Sequence, residues 1–254
     1  MESGFTCSFR KREAYDQMPQ LHSHDGLCEL YFLSSGERRY FILDSVMTVH
    51  AKGFVFIKAG VLHRTGYLGG GQHSRYYANV PSSWIEDLLP YLPKYYVCQK
   101  EEGLELLFSQ LLQEAEGSDP FSAARCRSLV YEIVIRSWRS YQSSLVQDDG
   151  FLDAVTAFVR DNIALDLSLD AAAAFMGYSP SYFSTLFHRR SGMRYADFVR
   201  SSRITLACEA LRGGSSVAQA SALAGFHDPG YFKDVFRAVM KISPSAYRKE
   251  NRLA

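Results

Sequence analysis

The feature that most constrains this chain is a nine-residue pattern that occurs twice near its C-terminus, at an offset of 49 positions. The first copy is SPSYFSTLF at 179–187, and the second is DPGYFKDVF at 228–236. Each copy begins with an N-cap residue type followed by Pro, which is a common start of a helix. The apolar side chains that follow recur at helical spacing and therefore share one face. The repeat predicts two capped, amphipathic helices built to one plan.

A second short helix precedes each copy of the repeat. Residues 168–176 are rich in Ala and end at Gly177, while Ser216 and Gln219 form a capping box that opens a helix ending at Gly225. A short helix, a Gly turn and a second capped helix make a helix-turn-helix. An amphipathic helix over 195–211 joins the two units. A plain helical bundle is the alternative, and the matched caps and spacings argue against it.

The solvent faces of the two repeated helices carry short polar and basic side chains. Hydroxyl groups, Lys and Asp suit the edges of bases, whereas Arg side chains near the helix C-termini are better placed for phosphates. The residues predicted to contact double-stranded DNA are Ser179, Ser181, Ser184, Thr185, His188, Arg189, Arg190, Gly230, Tyr231, Lys233, Asp234 and Arg237.

The charge distribution is consistent with a DNA partner for the C-terminal part. The whole chain has a net charge of only +1, but residues 150–254 hold 13 Lys and Arg against 9 Asp and Glu. Residues 1–149 hold 15 basic side chains against 18 acidic ones. A mildly basic part joined to an acidic part is typical of a duplex-binding module attached to a different kind of domain.

The segment 163–249 resembles the AraC-type transcription regulators. The resemblance implies that both repeated helices enter successive major-groove segments, with Ser181, Ser184, Thr185, Gly230, Lys233 and Asp234 facing the bases. Ala172, Ala220 and Ser221 depart from the family pattern, and Lys241 stands where the family usually has Gly. The matching residues are Leu169, Gly177, Tyr178, Ser179, Phe187, Gly192, Arg203, Ala207, Leu211, Gly225, Phe226, Tyr231, Phe232, Phe236, Ser243, Pro244, Tyr247 and Arg248.

The first 97 residues have a different character from the repeat region. Short clusters of aromatic and β-branched residues alternate with Gly, Ser and Asp, a pattern that predicts an all-β sandwich or barrel. Between 101 and 142 the apolar period becomes helical, and Asp119 followed by Pro120 predicts the start of a second helix. This helical hairpin either completes the core of the β domain or forms a dimer seam, and the sequence leaves both open.

Two motifs in the β-rich part resemble those of the cupins, which are small β-barrels. The first is His22-x-His24-x4-Glu29-x6-Gly36, and the second contains Gly53, Gly60 and His63. By this resemblance, His22, His24, Glu29 and His63 are candidate ligands of a divalent metal such as Zn, Mn, Fe or Ni. Two departures are Ala59, where Pro is usual, and Tyr67, where Asn is usual.

The same positions can instead line a pocket for a small organic effector without any metal. The residues predicted to bind the effector are His22, His24, Glu29, Tyr31, Arg39, Tyr40 and His63, with Arg38 and Arg64 as further lining. Aromatic faces with a few polar groups make a sugar the candidate effector.

The five Cys residues show no C-x-x-C spacing, which favours a reducing compartment. The N-terminus has no signal-like apolar run, and no stretch is long enough to span a membrane. We therefore expect a cytoplasmic protein without a membrane partner.

These observations combine into an α+β multidomain chain. We expect a cupin-like effector-binding β-barrel at 1–97, a helical dimerisation or support hairpin at 98–142, a linker at 143–150 and an all-α double helix-turn-helix domain at 151–254. The predicted function is a homodimeric, sequence-specific transcription regulator, an activator that responds to a small-molecule effector, and not an enzyme. The alternative is a metal-dependent cupin enzyme with a DNA-binding tail.

Overall fold

The chain has a β-rich N-terminal part and an all-helical C-terminal part, as the alternating and helical sequence patterns predict. A computed structural model describes residues 4–12, 20–67, 72–143 and 150–251. The strands are β1 Thr6–Arg12, β2 Leu27–Ser35, β3 Glu37–Ile42, β4 Ser45–His50, β5 Gly53–Ile57, β6 His63–Tyr67, β7 His73–Pro81 and β8 Tyr95–Cys98. The helices are α1 Leu104–Glu116, α2 Ser122–Ser143, α3 Gly150–Asp161, α4 Leu169–Phe175, α5 Pro180–Ser191, α6 Tyr195–Arg212, α7 Val217–Leu223, α8 Pro229–Met240 and α9 Pro244–Glu250.

The strands form two antiparallel sheets that face each other. One sheet has the order β1-β7-β2-β5-β8, and the other has the order β4-β3-β6. Tyr31 and Val55 of the first sheet share one apolar cluster with Tyr40, Ile42 and Val49 of the second. Among the described residues the two sheets are not joined into the expected closed barrel, so the β-rich domain is a pair of packed sheets.

Successive side chains of a strand point to opposite faces of its sheet, so each sheet packs against a different layer on each face. On β2, Tyr31 lies between the sheets, while Leu30 and Phe32 pack on the other side with Phe108 of α1 and Val130 of α2. The helical hairpin therefore completes the core of the β domain. On β3, Tyr40 points inward and Phe41 joins the core of the C-terminal helices.

One detail of the hairpin differs from expectation. Asp119 does not cap a helix that starts at Pro120. Its carboxylate instead accepts hydrogen bonds from the backbone N–H of Phe121 and the hydroxyl of Ser122, where α2 begins. The predicted linker falls largely on 144–149, which lie outside the described residues. None of the helices within the described ranges combines the length and apolar character needed to cross a bilayer.

The two helix-turn-helix units, α4–α5 and α7–α8, both pack against the central helix α6. Ala220 of α7 is fully buried where this helix packs on α6, and Ala172 of α4 is fully buried in the same core beside α5. The paired Phe residues of each repeat, Phe183 with Phe187 and Phe232 with Phe236, are also buried. The duplicated apolar pattern therefore forms the core of the domain.

Candidate DNA-binding surface and effector pocket

The caps predicted from the repeat position the outer faces of α5 and α8. Ser179 and Asp228 each accept a hydrogen bond from the backbone N–H three residues later, and each is followed by Pro in the first helical turn. Gly177 and Gly225, in the turns before these helices, have φ angles of +72° and +74°. Both turns therefore use the left-handed conformation that Gly adopts without steric cost.

Every residue predicted to contact DNA is exposed. Seven of these residues lie on α5 or at its N-cap, and five lie on α8. The buried side chains of Phe183 and Phe232 determine which face of each helix points outward. Within α5 the hydroxyl of Thr185 donates to the backbone carbonyl of Ser181, 3.0 Å away, which orients that side chain along the helix. The two faces thus present hydroxyls, an amine, a carboxylate and guanidinium groups to solvent.

One exposed aromatic residue on this surface is not among the predicted contacts. Tyr182 in α5 occupies the same repeat position as Tyr231 in α8, and their side chains are 54% and 59% exposed. The identity of the two positions in the repeat is the signal that points to Tyr182. An amphipathic Tyr at the start of each helix can pack against sugar and phosphate while its hydroxyl forms hydrogen bonds.

The four cupin-motif residues come together between the two sheets. His63 Nε2 lies 3.2 Å from Glu29 Oε2, and His24 Nε2 lies 3.4 Å from the same oxygen. One potential ligand atom from each of His22, His24, Glu29 and His63 lies within 4.8 Å of the others. His63 lies 34 positions after Glu29 in the sequence, so the fold brings this cluster together.

The electrostatics of the cluster reflect its burial. For Glu29 the largest effect is burial, which raises the pKa, but the charges and hydrogen bonds of His63 and His24 outweigh it and hold the pKa well below its usual range. Burial lowers the pKa of His63, and the adjacent Glu29 carboxylate reverses this and raises it. The pKa of His22 is lowered by burial and by the neighbouring His63. The cluster therefore contains an ionised carboxylate among imidazoles.

The donor set fits a divalent metal. The Nδ1 atoms of His22 and His63 lie 2.9 Å from the backbone carbonyls of Gln20 and Val61, respectively. Such hydrogen bonds fix the tautomer that leaves Nε2 as the ligand atom. Three imidazoles and one carboxylate suit Zn, Mn, Fe or Ni.

Tyr31 and Tyr40 lie between the sheets as expected for effector-pocket residues, but Arg39 and Arg64 do not. Arg39 follows Arg38 on β3 and therefore points to the opposite face. Its guanidinium donates to the backbone carbonyl of Arg189 at 3.1 Å, and Arg64 Nη2 lies 3.7 Å from Met193 Sδ. The assignment of Arg39 to effector binding is thus corrected: both side chains contact the helix-turn-helix domain.

Comparison with known proteins identifies the C-terminal part. A family described as "Helix-turn-helix domain" matches residues 172–250. The transcriptional activator RhaR of Pectobacterium atrosepticum is 29% identical over 159 residues, which cover 60% of this chain and 56% of RhaR. The MmsAB operon regulatory protein of Pseudomonas aeruginosa is 31% identical over 57% of this chain and 47% of its own length. The chain thus spans about half the length of these curated relatives.

A solved structure also aligns with nearly the whole chain. ToxT from Vibrio cholerae O395 matches over 97% of this chain and 98% of its own at 15% identity, with a TM-score of 0.42. The matched helix-turn-helix region and the relatives named above agree with the duplicated, capped helices seen in the structure. Residues 172–250 thus match a helix-turn-helix domain family, and the curated relatives of this chain named above are transcription regulators.

Proposed function

We propose that this protein is a sequence-specific transcription regulator, an activator of the AraC type, that binds double-stranded DNA through α5 and α8. The observation that carries the proposal is the duplicated pair of capped helices, each with a buried Phe pair behind an exposed polar face. An exposed helix face of this kind fits the major groove. The relatives named above, an activator and an operon regulator, support the same function.

The roles of the exposed side chains follow from their positions on the helices. Ser181, Ser184 and Thr185 lie in the N-terminal and middle parts of α5, and Lys233 and Asp234 lie in the middle of α8, where side chains reach base edges. The basic residues further along, Arg189, Arg190 and Arg237, contact phosphates. His188, Gly230, Tyr231 and the cap residue Ser179 complete the interface.

The space between the two sheets is the proposed effector site, with His22, His24, Glu29, Tyr31, Tyr40 and His63 around it. A divalent metal held by the three His and Glu29 would supply a Lewis-acidic centre to which an effector oxygen can bind. Two neighbours of the ligands, Leu21 and Leu62, belong to the core shared with the C-terminal helices. A change in the position of His22 or His63 therefore acts directly on the interdomain contact.

A second link runs through the backbone. The N–H of Gly60 donates to the carbonyl of His24 at 2.9 Å, and the carbonyl of Gly60 accepts a hydrogen bond from Arg212 at the end of α6. An effector regulates DNA binding only if it binds one interdomain arrangement more tightly than another. The two interdomain arrangements would differ in whether these contacts are formed.

The remaining parts of the proposal concern organisation. We divide the chain into an effector domain at 1–97, a helical hairpin at 98–142, a linker at 143–150 and the DNA-binding domain at 151–254. The hairpin supports the sheet, and its outer surface is the proposed contact of a homodimer. The proposed location is the cytoplasm, and the proposed role is regulatory and not enzymatic.

The gathered His22, His24, Glu29 and His63 side chains favour one alternative, a metal-dependent cupin enzyme with a DNA-binding tail. Two measurements on the metal-loaded protein separate the functions. An enzyme turns over a small molecule in a reaction that Glu29→Gln abolishes. A regulator shows a change in DNA affinity or promoter output when the site is filled, without turnover.

Selection of bound fragments from genomic DNA tests the main proposal. We expect the purified chain to enrich a small set of promoter-proximal fragments, and a reporter driven by them to depend on the chain. Arg237→Ala should retain less of all fragments and Lys233→Ala should enrich a broader set, whereas the control Arg125→Ala, an exposed Arg on α2, should behave like the unmodified chain. Enrichment that is equal for all three variants would exclude α8 as a recognition helix.

A further inference from the structure

Two Arg side chains approach each other between the sheets, beside the His and Glu cluster. Arg38 comes from β3 and Arg75 from β7, and both guanidinium carbons lie 5.8 Å from the ring centroid of Tyr31. Their Nη1 atoms lie 3.3 Å and 3.2 Å from the same atom, Nε2 of His73. Because Arg can only donate, this one nitrogen is the acceptor for both guanidinium groups.

No carboxylate compensates these two charges among the residues that the structure describes. Arg38 is only 3% exposed, and its other hydrogen bond goes to the neutral hydroxyl of Thr65. The nearby Glu29 is already engaged by His24 and His63. A buried charge without an opposite charge is costly, so the buried Arg38, with the partly buried Arg75 beside it, forms a site that favours an anion.

Two Tyr hydroxyls add neutral donors to the same place. Tyr40 is fully buried and its hydroxyl has no hydrogen-bond partner in the described part of the chain, and its ring meets that of Tyr31 edge-on at 5.4 Å. A phenol hydroxyl is protonated near neutral pH, so both side chains can donate a hydrogen bond to an oxyanion.

Apolar side chains surround these polar groups. Leu33, Val49 and Val55 form the apolar cluster around Tyr31 and Tyr40. Arg75 and Tyr77 on β7 are only partly buried, which places the side of the pocket that solvent can reach at this strand. A ligand for this site combines an apolar or weakly polar body with a charged oxygen group.

We propose that Arg38 and Arg75 bind the oxyanion, a carboxylate or a phosphate group, of a small organic effector, with the hydroxyl of Tyr40 as a third donor. This assignment rests on the proposed effector role of the same pocket and names the class of effector it takes. Arg forks match carboxylate and phosphate oxygens in two parallel hydrogen bonds, which a neutral sugar cannot reproduce. The effector is therefore an acid, and a neutral sugar is disfavoured.

Acetate and acetamide are the first probes, because they have nearly the same shape and differ in charge. Thermal unfolding of the full chain is followed with each probe at constant ionic strength, with chloride as the reference anion. We expect acetate to raise the unfolding temperature and acetamide to leave it unchanged. Inorganic phosphate is the second arm, and the stronger of the two anions identifies the preferred oxyanion.

Three variants locate the binding. Arg38→Met and Arg75→Met should each weaken anion binding by about tenfold or more, as expected for loss of a charge-assisted hydrogen bond. Tyr40→Phe removes only a hydroxyl and should weaken it less. Arg125→Met, which changes an exposed Arg on α2, is the control and should bind the anion like the unmodified chain.

The proposal is overturned if acetamide stabilises the chain as well as acetate does. It is also overturned if neither anion stabilises the chain, or if anion binding survives in both Arg38→Met and Arg75→Met. Salt-dependent DNA binding through α8 is measured separately on the same preparations. If DNA binding holds while anion binding fails, the regulator proposal stands and only the effector class is wrong.

Discussion

The guanidinium of Arg39 donates a hydrogen bond to the backbone carbonyl of Arg189, 150 positions away in sequence and 3.1 Å away in space. Arg189 lies near the C-terminus of α5, where the unpaired carbonyls of a helix carry partial negative charge. Arg38, the preceding residue on β3, points to the other face, where it contacts His73 in the proposed effector site. One strand therefore faces the proposed effector site on one side and α5, a proposed recognition helix, on the other.

The first prediction concerns this contact. Arg39→Met should leave the last turn of α5 less protected, because a carbonyl loses a charged donor. A loss of about 1 kcal/mol corresponds to roughly fivefold faster amide exchange. Hydrogen–deuterium exchange of residues 188–193 measures it, with Arg38→Met as the control on the opposite face. Unchanged exchange in Arg39→Met would show that the contact does not restrain α5.

The second prediction concerns the departure at Lys241. This residue ends α8 with φ +64°, and the corresponding end of α5 is Gly192 with φ +72°. A left-handed conformation costs a residue with a side chain about 1–2 kcal/mol, and Gly avoids this cost. The greater conformational freedom of Gly in the unfolded chain offsets part of this gain in stability. Lys241→Gly should therefore raise the free energy of unfolding by roughly 0.5–1 kcal/mol.

Denaturant unfolding of Lys241→Gly checks that value, and Gly192→Ala is the complementary variant. Gly192→Ala places a Cβ in the same conformation and should lower the stability by about 1–2 kcal/mol. The account of these two helix ends is wrong if both changes shift the stability in the same direction.

The third prediction separates two turns with the same backbone conformation. A Cβ at Gly225 would lie 2.2 Å from the backbone carbonyl oxygen of Ile163, whereas a Cβ at Gly177 would meet nothing within 4 Å. Gly177→Ala should cost only the positive-φ strain, about 1–2 kcal/mol. Gly225→Ala should cost clearly more, because backbone must move as well. Chemical denaturation of both variants measures the difference, and equal costs would contradict the close approach of α7 to residue 163.

The fourth prediction concerns metal binding by His22, His24, Glu29 and His63. At a free metal concentration about 100 times the dissociation constant, the free energy of unfolding should rise by about 2.7 kcal/mol. Thermal unfolding with Mn²⁺ or Zn²⁺, before and after chelation, measures this rise. His63→Ala should abolish it, and His50→Ala, an exposed His beside Glu37, should keep it. An equal rise in the two variants would show that the metal binds elsewhere.

Much of the DNA-binding domain could be predicted from the sequence because its information is local and occurs twice. Ser179 and Asp228 cap their helices by contacts three residues away, and the Phe pairs are one helical turn apart. Comparison of the two copies also identifies a residue missing from the predicted DNA contacts, because Tyr182 occupies the same repeat position as Tyr231. The helix over 150–161 has no counterpart in the repeat, so the repeat could not predict it.

The effector domain is harder to predict in detail because the faces of its strands depend on partners far away in sequence. Arg38 and Arg39 are the same residue type at adjacent positions, so the local sequence does not distinguish them. Only the pairing of β3 with β4 and β6 decides which of the two points inward. The cupin motifs grouped His22, His24, Glu29 and His63, and in the structure a potential ligand atom of each lies within 4.8 Å of the others. Arg75 and His73 lie on β7, outside those motifs, so nothing in the sequence pattern connects them with Arg38.

The most direct test of DNA binding by α5 and α8 is the salt dependence of the affinity for a selected promoter fragment. Each phosphate contact contributes about 0.9 to the slope of log K against log salt concentration. Arg237→Ala should therefore weaken binding to all sequences and flatten the slope by about 0.9, while Lys233→Ala should relax the preference at one base position. Slopes and sequence preferences that match the unmodified chain in both variants would contradict the account.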